Sequence, residues 1–233
     1  MSCKAILERL EEIGEDPAAL DAVLVTHEHS DHIAGLVALA NRFAKKFKRR
    51  IPIYMTSRTA PTIEWNKCEP ELREFQAGNS FAVGDFDVQS FTVPHDATDP
   101  VGYCLRTGGL KVGLVTDLGY IPDSVKHYAS DADLLVLESN HDIEMLKVGP
   151  YPWSVKQRVM SRKGHLSNDI VGEFIAADFA SRTRTLVLGH LSEHNNHPEI
   201  ARVSARQELE RRELDTQLVV AQPRLRTEVF EFD

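Results

Sequence analysis

The stretch Ala22–Gly35, AVLVTHEHSDHIAG, sets three histidines and two acids directly behind a short apolar run. Imidazoles and carboxylates are costly to bury unless something pairs them, and a metal ion is one such partner. His27 and His29, two apart in an extended turn, can both face one ion. Asp31 and His32 fall where the next helix begins and can face a second ion a few Å away. Four ligand-competent side chains within six positions form a specific pattern, whereas a lone histidine is usually not a ligand.

The flanking periodicities give this motif a frame. Residues 4–20 read as a polar-faced helix with Ile6, Leu7, Leu10 and Ile13 at helical spacing, and 21–26 as a strand. Ile33, Leu36, Val37, Ala40, Ala44 and Phe47 mark an amphipathic helix after the motif, and 51–55 a further strand. Strands are expected at 81–83, 86–93, 101–107, 110–116, 134–137, 185–188, 217–221 and 227–232. Helices are expected near 152–162, 168–180 and 198–213. Gly108-Gly109 is a hairpin signal between two of the strands. No linker divides the chain, which reads as one α/β domain over 1–233.

Four strands end in a candidate ligand. His27 and His29 follow the first, His95 follows Phe91-Thr92-Val93-Pro94, Asp117 follows Val112–Thr116, and His190 follows Thr185–Gly189. In α/β sheets, sites assemble in the loops beyond strand ends. Asp117 has two carboxylate oxygens and could bridge two ions. One ion would take His27, His29, His95 and Asp117, the other Asp31, His32, Asp117 and His190. Each set is nitrogen and oxygen, suited to zinc, manganese or iron.

The totals are ordinary for a globular chain, with 42% hydrophobic and 27% charged residues. The formal net charge of -8 argues against a surface tuned throughout to nucleic acid, though not against a local basic track. Cys3, Cys68 and Cys104 are odd in number and far apart, so neither a disulfide framework nor a cysteine zinc site is indicated. No apolar run approaches the roughly 20 residues of a membrane span, and a cytoplasmic location is expected.

THEHSDH at 26–32, PHD at 94–96, TDLG at 116–119 and GHLS at 189–192 resemble the metallo-β-lactamase-fold hydrolases. LESNHD at 137–142, YPWS at 151–154, KGHLSN at 163–168 and LGHLSEHNN at 188–196 are most similar to the WalJ/YycJ branch. The resemblance implies an αββα sandwich with the metals at one edge. Family members usually carry a first pair of strands with a Gly/Ser-rich loop before the helix that opens here. Met1-Ser2-Cys3 leads almost straight into that helix, so the expected fold is short at its N-terminus, through a late start or a truncation.

Two ions a few Å apart lower the pKa of a shared water, making hydroxide available near neutral pH. The resemblance gives Asp31 a second role, orienting the nucleophile. GHLS also occurs at 164–167, and its His165 resembles the tRNase Z-like histidine that contacts the scissile phosphate. Stabilising phosphoryl oxygens or protonating the leaving oxygen is its expected task, against the plainer reading of a helix-start histidine bonded to backbone. His141 is a candidate substrate contact, and Arg158, Arg162 and Lys163 are placed for phosphate. His127, His194 and His197 read as solvated. The basic run from Arg42 to Arg50 reads first as a solvated face complementing a helix dipole. The leading expectation is a dinuclear phosphodiesterase acting as an exonuclease on DNA. The alternatives are a small-molecule esterase or thioesterase of the same fold, and a non-catalytic metal-stabilised nucleic-acid-binding module.

Overall fold

The computed structural model describes residues 1–232. Two sheets are formed. The smaller has three parallel strands, β1 (Val23–Leu24), β2 (Pro52–Thr56) and β3 (Glu71–Phe75), in the order β1-β2-β3. The larger has seven strands in the order β10-β9-β8-β7-β6-β5-β4. Its antiparallel half is β4 (Ser80–Val83), β5 (Phe86–Thr92), β6 (Val101–Thr107) and β7 (Leu110–Val115). Its parallel half joins β7 to β8 (Leu134–Glu138), β9 (Thr185–Gly189) and β10 (Gln217–Val220).

Helices cover the outer face of each sheet. On the small sheet, Leu7 of α1 (Cys3–Glu12) and Leu36, Leu39 and Ala40 of α3 (Leu36–Arg42) pack with Ile53 and Met55 of β2. α2 (Ser30–Ile33) is the single turn that begins inside the histidine motif. On the large sheet, α4 (Asp123–Ala129), α7 (Asn168–Ala177) and α8 (Pro198–Arg211) bury Val125, Val171, Ile175, Ala201 and Leu209 against Leu135, Leu186, Leu188 and Leu218. Phe75, Val88, Val101 and Tyr103 fill the space between the sheets. The layers are therefore helix, sheet, sheet, helix, as expected. α5 (Ile143–Val148) and α6 (Trp153–Val159) lie in the chain between β8 and α7.

Several boundaries differ from the sequence reading. α1 stops at Glu12 because Gly14 turns into the left-handed region at φ 82°, and Asp16 then caps a short 3-10 turn at Pro17–Ala19. The ladder of β1 is two residues long. The closing strand at 227–232 does not form, and those residues have no regular structure. β3, α4 and α5 were not anticipated. No strand precedes β1 among the described residues.

The motif loop is tied to the larger sheet from below. Tyr103 on β6 is fully buried, and its hydroxyl donates to the Val25 carbonyl at 2.6 Å, two residues before His27. Tyr103→Phe strands that carbonyl in an apolar layer and should destabilise the protein by about 1–2 kcal/mol. Urea unfolding should show a lower midpoint with an unchanged slope. An unchanged midpoint would count against the tether.

Candidate metal centre

Adjacent strand ends build the site. β7, β8 and β9 run parallel and side by side, so Asp117, Glu138 and His190 emerge together, with Glu138 on the middle strand. Asp117 and His190 both turn left-handed just past their strands, at φ 62° and 57°. That conformation is unfavourable for residues other than glycine, and strain of this kind gathers at functional sites. The end of β1 brings in the histidine motif, and β5 leads to His95.

The sequence-predicted ligands converge. One ligand atom each from His27, His29 and His95 lies within 4.8 Å of the others, and the same holds for Asp31, His32 and His190. Asp117 stands between the two sets, with Oδ2 3.3 Å from His32 Nε2 and Oδ1 3.5 Å from His190 Nε2 and 3.8 Å from His95 Nε2. His29 Nδ1 and His95 Nε2 face each other at 3.2 Å.

His27, His32, His95 and His190 are each held through Nδ1. The Thr26 hydroxyl lies 3.1 Å from His27 Nδ1 and 3.0 Å from His32 Nδ1. His95 Nδ1 is 3.1 Å from the Gly164 carbonyl, which can only accept, so the proton sits on Nδ1 and Nε2 is free. This is the arrangement in which an outer partner sets the tautomer of a metal-binding imidazole.

Glu138 is the group that sequence reasoning missed. It has no exposed surface, yet its Oε1 accepts from both His165 Nδ1 and His190 Nδ1 at 2.7 Å. Its Oε2 accepts the backbone N–H of Leu118 at 3.1 Å and of Leu166 at 3.2 Å. The signal was a charged residue closing the apolar run Leu134–Leu137, but its meaning depends on which strands flank β8.

The electrostatics follow from this crowding. Burial pushes the Glu138 and Asp117 carboxyls up, but the facing imidazoles, His165 and His190 for the first and His32 and His190 for the second, hold both well below the usual carboxylate range. The contact with His190 pulls Asp31 down against its own burial. Burial opposes the charged form of His190 and His165, yet the hydrogen bonds to Asp31 and Glu138 raise His190 and the Glu138 bond raises His165. Burial and then the neighbouring His32 lower His27 to about 3.

A cation fits these residues. His27 Nε2 and Asp117 Oδ2 are buried with no hydrogen-bond partner among the described residues, a costly state that a bound ion relieves. The donors are imidazole and carboxylate, the set for borderline and hard divalent ions.

A cavity of about 590 Å³ opens over the centre, lined by His29, Asp31, Asp117, His165 and His190 on one side. Arg158 lines it too and pairs with Asp96. The other expected substrate contacts lie elsewhere. Arg162 packs over the Tyr120 ring at 4.0 Å, and Lys163 is exposed off the wall, its carbonyl accepting from Asp96 N–H. His141 is 2% exposed, bridged to Ser167, and kept largely neutral by burial. Of the basic run, Arg49 bonds to the Ala18 and Leu20 carbonyls and Arg50 pairs with Glu69, so both serve the fold or surface. His127 and His197 are exposed, as expected, whereas His194 is exposed on the cavity rim.

The β-lactamase superfamily domain model matches residues 4–191, and the chain belongs to that family. Within it, the chain is 39% identical over 199 residues to exodeoxyribonuclease YycJ of Bacillus anthracis, covering 82% of this chain and 71% of the relative. It is 37% identical over 209 residues to exodeoxyribonuclease WalJ of Streptococcus pneumoniae, covering 88% and 76%. Among solved structures, the metallo-β-lactamase-fold protein YhfI of Bacillus subtilis superposes with a TM-score of 0.69 at 23% identity, over 94% of this chain and 81% of that one. The short form of human tRNase Z has a TM-score of 0.61 at 21% identity, over 94% and 82%. These two likenesses establish the shared fold. Among the described residues, no helix is long and apolar enough to cross a membrane.

Glu138→Gln turns one acceptor into a donor, which then opposes either two imidazole N–H groups or two backbone N–H groups. The affinity for a divalent ion, measured by competition with a chromogenic chelator, should fall about 10- to 100-fold. Wild-type affinity in the variant would mean that Glu138 does not set the ring orientations.

Proposed function

We propose that the chain is a dinuclear metal-dependent exonuclease that removes nucleotides from DNA ends. The observation that carries this reading is His165, locked through Nδ1 on Glu138 and lining the same cavity as the ligand groups. The chain's likeness to two exodeoxyribonucleases over more than four-fifths of its length supports DNA as the polymer. His27, His29 and His95 would hold one ion, Asp31, His32 and His190 the other, and Asp117 would join them. Zinc and manganese both suit this donor set, and iron is compatible.

When bound, such a pair of ions supplies an acidified water and neutralises charge on the attacked diester. The chain's own residues do the rest. Asp31, exposed toward the cavity, orients the attacking water. His165 keeps Nδ1–H on Glu138, which leaves Nε2 to the cavity. With Glu138 balancing the charge of the ring, Nε2 is the donor to the leaving oxygen. Arg158 reaches a backbone phosphate by exchanging Asp96 for it. The whole chain acts as one hydrolase domain, and its unpaired cysteines suit a reducing cytoplasm.

End-labelled duplex DNA with added manganese should shorten stepwise from one terminus and stop on addition of a chelator. His165→Ala should keep its metal content and lose about 10²- to 10⁴-fold in kcat. DNA left intact by metal-loaded protein that hydrolyses thioesters would replace this reading with the small-ester one. A loss in His165→Ala below about tenfold would remove the general-acid role.

A further inference from the structure

The cavity has a second wall that the metal centre does not use. Besides the ligand residues it is lined by Tyr151, Val155 and Val159, and by His194. Val155 and Val159 lie one turn apart on α6, and Tyr151 is two residues before that helix begins. Val155 is 36% exposed, so a medium-sized apolar side chain faces open cavity here. The Tyr151 and His194 rings meet edge to face, with centroids 6.0 Å apart and planes at 78°.

This wall is preorganised. Tyr151 and His194 come from different loops, and those loops are clamped together. A Cβ on Gly149 would come within 2.1 Å of Asn195 Oδ1, so only glycine lets the two segments meet this closely. Asn195 also accepts the Asp142 N–H through its carbonyl at 2.9 Å, and its own N–H donates to Ser192 Oγ at 3.2 Å. At its other end the wall joins the chemistry directly, since the Val159 carbonyl accepts the His165 N–H at 2.9 Å.

Charge and size narrow the occupant. Among the lining residues the one Lys or Arg is Arg158, which the proposed reading gives to the phosphate, and the Tyr151 wall carries no cation of its own. Apolar and aromatic surface suits the uncharged face of a base better than a phosphate. A volume of about 590 Å³ lies within the range of pockets for small molecules and is far too small for a duplex.

We propose that this wall is a nucleobase subsite, in which the unpaired terminal base of a DNA strand stacks on Tyr151 while its phosphodiester lies at the metal centre. The inference rests on the exonuclease reading and deepens it: the substrate is a single-stranded or frayed end, and Tyr151 is a specificity-determining residue. A base on an aromatic side chain contributes about 1–3 kcal/mol, or roughly 5- to 150-fold in affinity.

The test compares kcat/KM of the manganese-loaded protein on two single-stranded oligonucleotides, identical except that one carries an abasic residue at the terminus removed first. Wild type should prefer the base-bearing end by about tenfold or more, mainly through KM. Tyr151→Phe keeps a ring and should keep the preference, whereas Tyr151→Ala should reduce it below about threefold. Equal cleavage of both ends by wild type would overturn the subsite and leave the exonuclease reading standing. A preference unchanged in Tyr151→Ala would overturn the role of Tyr151. Failure to cut either oligonucleotide while duplex ends still shorten would overturn the subsite alone, and failure on duplex DNA as well, with intact metal loading, would overturn the nuclease reading with it.

Discussion

A carboxylate with no exposed surface, Glu138, accepts two imidazole N–H groups on one oxygen and two backbone N–H groups on the other. Removing a carboxylate from water costs several kcal/mol, and the cost is met only where every lone pair finds a donor. Here the four donors come from three neighbourhoods, the loop after β7, the end of β9 and the turn before α7. Satisfying Glu138 therefore fixes how those segments meet. Its bonds aim His190 Nε2 at Asp31 and Asp117 and leave His165 Nε2 to the cavity, so the ligand and the proposed proton donor share one anchor.

The rest of the centre is arranged around that anchor under strain. Asp117 and His190 adopt left-handed backbone beside it, and their side chains face each other at 3.5 Å. Without a cation the cluster gathers imidazoles within 4.1 to 5.5 Å of one another, as between His27 and His32 and between His32 and His190, and leaves His27 Nε2 and Asp117 Oδ2 unpartnered. Such a cluster is unstable as an apolar core and coherent as a cation site. The fold tolerates it because the layers beneath are packed with apolar side chains. Tyr103 and the leucines of β8 and β9 carry the packing, while the strand ends carry the chemistry.

Much of this could be read from residue order alone. His27, His29, Asp31 and His32 announced themselves by density, and His95, Asp117 and His190 by recurring just past apolar runs. The four-layer sandwich followed from the family resemblance. What stayed hidden depends on contacts between distant segments. Glu138 looks like any acid ending a strand until β7 and β9 are known to flank it. His141 occupies a similar place after β8, but the Ser167 segment closes over it. Thr26 gained its role from two histidines at once. The short β3 reads Glu-Leu-Arg-Glu-Phe, too charged to signal a strand, and forms because β2 offers a parallel edge from Pro52 to Thr56. The segment 227–232, Thr-Glu-Val-Phe-Glu-Phe, carries strand-type residues but joins no ladder.

Asp117 is the point on which the two-ion account turns, since it faces His95 of one ligand set and His32 and His190 of the other. The direct measurement is the number of divalent ions bound per chain, by mass spectrometry of metals after dialysis, in wild type, His190→Ala and Asp117→Ala. The account predicts two ions in wild type, one in His190→Ala, and the loss of both in Asp117→Ala while circular dichroism shows the chain still folded. One ion in wild type, or two retained by folded Asp117→Ala, would contradict it.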